Sequence, residues 1–276
     1  MKKILTFLFV LNAYAAFCQL KPLQSITWVS DNFGTLHFTN ANNRFFWALD
    51  QSFKLYSDFM ASDFEYYQTK DTLVLIETVQ NPRTYKFIMA RKGNESLSFI
   101  PANDEAKKAI PQPVYVLRNI AYVDDPTVKF TSIHLDEGGY FENPPIAQLT
   151  YFQRTINIDN KGNYYLKMLS NGYKSPVNYF KGKLDAVQLD SLNYFIRHSE
   201  IKKLQNWKQI VRAAHMSQKN LIIAYNGGVL KLNASILPGI TSDLYYYIWS
   251  LEKKLSLEPD EQKHDFTKEG DLNYYK

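Results

Sequence analysis

Between Ser25 and Ile100 the chain holds no apolar period long enough for a helix, only short runs suited to strands. These are SITWVS (25–30), GTLHFTN (34–40), RFFWAL (44–49), FEYYQ (64–68), TLVLIET (72–78), TYKFIMA (84–90) and SLSFI (96–100). Asp31-Asn32, Asn42-Asn43, Asn81-Pro82 and Gly93-Asn94 punctuate them. Short runs at roughly 8–12-residue spacing with turn residues between them predict an antiparallel meander, a small sandwich or a partial barrel. The 20 Tyr, 18 Phe and 4 Trp fit that reading, since aromatic side chains suit a half-buried pleated surface. The same rings could also form a platform for a sugar. Asp104–Ile110 (DEAKKAI) supplies one or two helical turns that close the unit, and Pro111 and Pro113 stop them.

After the prolines the pattern mixes periods. VKFTSIH (128–134), QLTYFQRTINI (148–158) and NYYLKM (163–168) read as strands, with Asp159-Asn160-Lys161-Gly162 as a hairpin turn. Asp185 and Gln188 form a capping-box pair. Behind it Leu189, Leu192 and Ile196 share a helical face, and Ile201, Leu204, Trp207 and Val211 continue a helical stripe. NLIIAY (220–225) and VLKL (229–232) flank Asn226-Gly227-Gly228 as a second hairpin. Pro238 and Ser242 introduce a last helix with Leu244, Ile248, Leu251 and Leu255 on one stripe.

The expected class is therefore α+β: an N-terminal antiparallel β-meander followed by an α+β domain of antiparallel strands with two or three helices. The expected divisions are 1–18 leader, 19–110 β domain, 111–126 linker, 127–258 α+β domain and 259–276 loose polar tail.

The N-terminus reads as a secretory leader: Lys2 and Lys3, an apolar run from Ile4 to Leu11, then Ala13, Ala15 and Ala16. Cleavage before Gln19 puts Cys18, the single cysteine, at the end of the discarded peptide. The alternatives are a cut after Ala15, which keeps the thiol, and lipid anchoring through Cys18, which Phe17 and Ala15 disfavour. The first reading leaves no disulfide, thiol nucleophile or thiolate metal site. It places the protein in the periplasm or outside the cell. No apolar run reaches the roughly 20 residues that span a bilayer as a helix.

The formal charge of +5 falls to +3 once Lys2 and Lys3 leave, which does not suggest nucleic acid as a partner. One segment is locally basic, with Arg197, Lys202, Lys203, Lys208, Arg212 and Lys219 around the single acid Glu200. Lys202, Lys203, Lys208 and Arg212 are candidates for an anionic partner such as lipid headgroups or acidic glycan, set against a plain solvated helix face. His134, Asp136 and Glu137 form the tightest polar group and are the candidate acid–base residues, set against a solvated loop before Gly138-Gly139. Both Gly138-Gly139 and Gly227-Gly228 read as turns. Ser250 and Lys253 match a Ser-x-x-Lys pattern without its companion motifs, and no nucleophile elbow, dinucleotide loop or phosphate loop occurs. No cofactor is expected.

The passages YFKGKLDAVQLDSLNYFI (179–196) and LIIAYNGGVLKL (221–232) give the region from Lys129 to Leu257 a likeness to a known group. It resembles a family of secreted bacterial domains of unknown function. Many members carry a cysteine pair beside a proline near the first hairpin, and this chain lacks it. KDTLVLIET (70–78) and SLSFIPANDEA (96–106) make Phe64–Ala106 similar to the small lipocalin-like β domains of secreted bacterial proteins. That resemblance implies ligand or partner binding. The leading expectation is a non-enzymatic binding module of the cell envelope, with an unknown ligand or envelope protein as partner. The alternative is an envelope hydrolase using carboxylates outside any motif.

Overall fold

The structure is a computed structural model, and it describes residues 21–39, 45–50, 61–77, 82–143, 148–169, 176–208 and 217–266. Cys18 and the leader lie outside them. The chain is mainly antiparallel β with few helices and divides into two compact units, residues 1–122 and 123–276.

The first unit is an eight-stranded barrel of β1 (Trp28–Ser30), β2 (Thr35–Phe38), β3 (Phe45–Leu49), β4 (Ala61–Thr69), β5 (Thr72–Glu77), β6 (Thr84–Lys92), β7 (Ser96–Pro101) and β8 (Tyr115–Asn119). Each strand pairs with the next, and β1 pairs with β8 through Trp28↔Asn119, Val29↔Arg118 and Ser30↔Leu117. The sheet is thus closed. The expected linker 111–126 contains β8: Pro111 and Pro113 end a helix, but the YVLRN behind them alternates buried and exposed like any strand. Inside the barrel Phe38 meets Tyr66 edge-on at 5.2 Å, Phe64 meets Tyr85 at 5.9 Å, and Phe87 lies 5.6 Å from Phe99. An eight-stranded barrel is just wide enough for its own side chains to fill. Helix α1 (Asp104–Ala109) adds Ala106 and Ala109 to this core. Its N-cap Asn103 accepts from Ala106 N at 3.0 Å and Lys86 N at 3.1 Å, and donates to Thr84 O at 2.8 Å. The expected closing turns are there.

The second unit is a seven-stranded antiparallel sheet in the order β14-β13-β9-β10-β11-β12-β15. Its strands are β9 (Phe130–Asn143), β10 (Gln148–Asp159), β11 (Asn163–Leu169), β12 (Asn178–Lys183), β13 (Gln218–Tyr225), β14 (Gly228–Ala234) and β15 (Glu258–Pro259). Helices α2 (Ala186–Arg197) and α3 (Ser242–Lys254) belong to the same unit. The predicted hairpin forms at Asp159–Gly162, where Gly162 takes φ +80° and the Asp159 carboxylate accepts from Lys161 N and Asn163 N, both at 2.9 Å. The capping box of α2 is complete: Gln188 N donates to Asp185 Oδ1 at 2.7 Å, and Asp185 N donates to Gln188 Oε1 at 3.0 Å.

Three further expectations are corrected. Over the described residues up to 208 the helical stripe beyond Ile201 is only a 3-10 turn at Leu204–Asn206, because Glu200 adopts φ +46° and breaks the backbone after α2, while Val211 lies outside them. Gly138 and Gly139 are strand residues of β9 rather than a turn. The tail is not loose over 259–266: β15 pairs with β12, and Asp260 and Phe266 are buried.

Candidate functional site

Strand β9 carries all three acid–base candidates, and strand geometry separates them. His134 and Asp136 share one face by the two-residue period, while Glu137 points through the opposite face. His134, only 2% exposed, has Nδ1 at 2.7 Å from Asn157 Oδ1, and burial pushes its pKa down. Asp136 accepts from Thr155 Oγ1 at 2.7 Å. The solvated loop considered for these residues is absent; they sit in mid-sheet, and they do not converge on one site.

Glu137 lies under α3, with 5% of its surface exposed. Tyr245 Oη and Trp249 Nε1, from successive turns of α3, donate to its Oε2 at 2.7 and 3.1 Å. Ser217 Oγ donates to Oε1 at 2.5 Å, and Lys219 Nζ lies 3.5 Å from the same oxygen. Gly139 makes room for this: a Cβ there would lie 2.9 Å from the Ser217 Cα. Lys219 also donates to Ser217 Oγ at 3.0 Å and Ser235 O at 3.1 Å. On the other side of β9, Arg154 stands in register with Glu137, stacks over Trp249 at 4.2 Å and pairs with Glu252 at 2.9 Å. Burial and then the nearby Glu137 charge raise the Tyr245 pKa, and burial raises that of Tyr164. The result is a partly buried seam of two acids and two cations, centred on the buried Glu137, that ties α3 to the sheet. In the sequence Lys219 reads as part of the basic segment, which hides the seam. Its place beside Glu137 follows only from the β13–β9 register, Lys219↔Glu137.

Three of the described cations of the basic segment are paired with acids. Arg197 forms a two-pronged pair with Asp124, Lys202 pairs with Asp125 at 2.9 Å, and Lys203 pairs with Glu200 at 2.5 Å. Lys208 is exposed, and Arg212 lies outside the described residues.

The outer surface of the two helices forms an open groove of about 580 Å³ lined by Val187, Asp190, Ser191, Tyr194, Phe195, Tyr247 and Lys254. Phe195 and Tyr247 form its floor with ring centroids 5.0 Å apart, and Lys254 Nζ lies 4.9 Å over the Tyr247 ring. Tyr247 Oη is held by donating to Gln188 O at 2.7 Å. Tyr194 stacks on His198 at 3.9 Å and leaves 48% of its surface in solvent. Ser250 of the Ser-x-x-Lys match donates back to Tyr247 O within the helix.

Among the described residues no group of three or more His, Cys, Asp or Glu could hold a metal ion, and no helix is long and apolar enough to cross a membrane. No family model matches the chain. Comparisons with curated proteins and with solved structures find no match either.

Proposed function

We propose that the protein is a non-catalytic binding module of the cell envelope, and that the groove between α2 and α3 takes a neutral oligosaccharide. The observation that carries this is the half-exposed Tyr194 ring in a groove that also contains one acid, one cation and the Ser191 hydroxyl. A pyranose has an apolar C–H face and a rim of hydroxyls. The first packs on a Tyr194 or Tyr247 ring, and the second reaches Asp190, Ser191 and Lys254. Asp190 and Lys254 carry opposite charges, so the groove favours neither a polyanion nor a polycation. The leader-like N-terminus supports the envelope location. The hydrolase alternative loses its starting geometry, since Glu137 lies across the sheet from His134 and Asp136.

Isothermal titration against neutral oligosaccharides built from glucose and from N-acetylglucosamine tests the proposal. Binding by at least one of them should weaken about tenfold, or roughly 1.4 kcal/mol, in Tyr194→Ala. No binding across the panel, or binding indifferent to Tyr194→Ala, overturns it.

A further inference from the structure

On the face of the sheet opposite Glu137, a single amide stands between two histidines. Asn157 Oδ1 lies 2.7 Å from His134 Nδ1, and Asn157 Nδ2 lies 3.2 Å from His264 Nε2. His264 belongs to the C-terminal segment that follows β15. Its ring lies flat on Tyr165 at 3.8 Å and meets Phe266 edge-on at 5.0 Å. The segment is also tied by Asp260 N donating to Tyr179 O at 2.9 Å and His264 N donating to Asp260 Oδ2 at 2.8 Å.

A primary amide has one accepting end and one donating end. Whichever way Asn157 is turned, one imidazole faces its oxygen and must donate, and the other faces its NH2 and must accept. In the observed orientation His134 donates from Nδ1, and His264 must present a bare Nε2. A proton on that nitrogen would face the amide NH2. Turning the amide would satisfy it, but His134 would then have to move its proton to Nε2. That atom is buried and has no hydrogen-bond partner among the described residues, so a proton placed there costs the penalty of a buried unmet donor.

We propose that Asn157 and the two histidines form an acid-sensitive latch, which holds the segment from Glu258 to Phe266 on the sheet at neutral pH and releases it when His264 is protonated. The closed latch keeps both imidazoles neutral, so the open form binds more protons. Closure is therefore complete above the ordinary imidazole pKa of about 6.5 and is lost as pH falls below it. The lowered pKa of His134 has the same sign.

Several charged groups stand around the pair, and Asp136 opposes the effect of burial on His134. Asp136 stands on the same face of β9, Asp159 on β10 is held in its turn, Lys167 on β11 and Lys181 on β12 share the face, and β14 offers Lys231. β13 contributes the neutral Asn220 and Ile222, and the segment itself carries Asp260, Lys263 and Asp265. Release uncovers the outer edge of β12 where β15 now pairs, Phe180↔Pro259 and Lys181↔Glu258. It also bares the Tyr165 and Tyr179 rings.

The test is hydrogen exchange of the full chain at pH 7.5 and 5.0, corrected for intrinsic rates and read on the Asp260 and His264 amides. Complete exclusion of the proton from the closed form predicts a loss of protection of about thirtyfold. A loss of tenfold or more, with β10 and β13 amides unchanged, supports the latch. His264→Phe keeps a ring on Tyr165 but cannot titrate, so its protection should not change with pH. Asn157→Asp supplies a carboxylate that accepts from both imidazolium groups, and its protection should hold or rise at pH 5.0. Unchanged wild-type protection, or a tenfold loss in His264→Phe, overturns the latch whether or not Asn157→Asp folds.

Discussion

Replacing Glu137 with Gln keeps the size of the side chain and removes its charge. If the amide oxygen stays with Tyr245 and Trp249, the NH2 faces Ser217 and the Lys219 ammonium, which loses its anion. A hydrogen bond to a charged group is worth about 1.5–3 kcal/mol and a neutral one about 0.5–1.5, so weakening three of them costs on the order of 2 kcal/mol. Stranding the Lys219 charge adds to that, although Ser217 and Ser235 still solvate it. Breaking a buried pair by removing one partner costs about 3–5 kcal/mol when nothing else compensates, which sets the upper limit. We expect a loss of about 3 kcal/mol, or roughly 6–12 °C in the melting temperature of a unit this size. Urea denaturation followed by near-UV circular dichroism reads it. Adding Lys219→Met removes the stranded charge and should recover about 1 kcal/mol. A loss below about 0.5 kcal/mol for Glu137→Gln, or strictly additive effects in the pair, would refute the view that this seam fastens α3 to the sheet.

Two further outcomes follow from the same geometry. Tyr164 and Tyr245 hold their protons above the ordinary tyrosine range of about 10. The folded state then binds more protons than the unfolded one at alkaline pH. Stability contributed by these groups is full below pH about 10 and falls as pH rises beyond it, and absorbance at 295 nm should show a late tyrosinate phase coincident with unfolding. Asn103→Ala removes the N-cap of α1 and the bonds to β6, and should lower the stability of the barrel by about 1–2 kcal/mol in chemical denaturation without altering the second unit.

Features that depend on neighbours in sequence were legible from the sequence. Asp185 and Gln188 are three residues apart, and their reciprocal bonds need nothing distant. The Asp159–Gly162 turn and the last helical stripe are likewise local; Leu244, Ile248 and Leu251 are buried as expected, while Leu255 caps the helix and is only partly buried. Features set by long-range pairing were hidden. Nothing near Tyr115–Asn119 announces that it closes a sheet begun at Trp28, and the prolines before it resemble a boundary. His134, Asp136 and Glu137 carried their own warning, because a strand that aligns the first two must turn the third away. The groove could not be read either. Tyr194 and Tyr247 lie on helices about fifty residues apart in sequence, joined only by the packing of α2 on α3.

The closure of the barrel by its first and last strands also sets an order of assembly. As the chain emerges from its N-terminus, β1 has β2 on one side and an open edge on the other. That edge stays unpaired until Leu117, Arg118 and Asn119 have been made. Strand edges of this kind invite foreign pairing while they wait, and pairings so distant in sequence form slowly. The final strand is therefore the step that removes the hazard. A chain stopped before Tyr115 keeps nearly all of the ring-rich core residues yet retains two sticky edges.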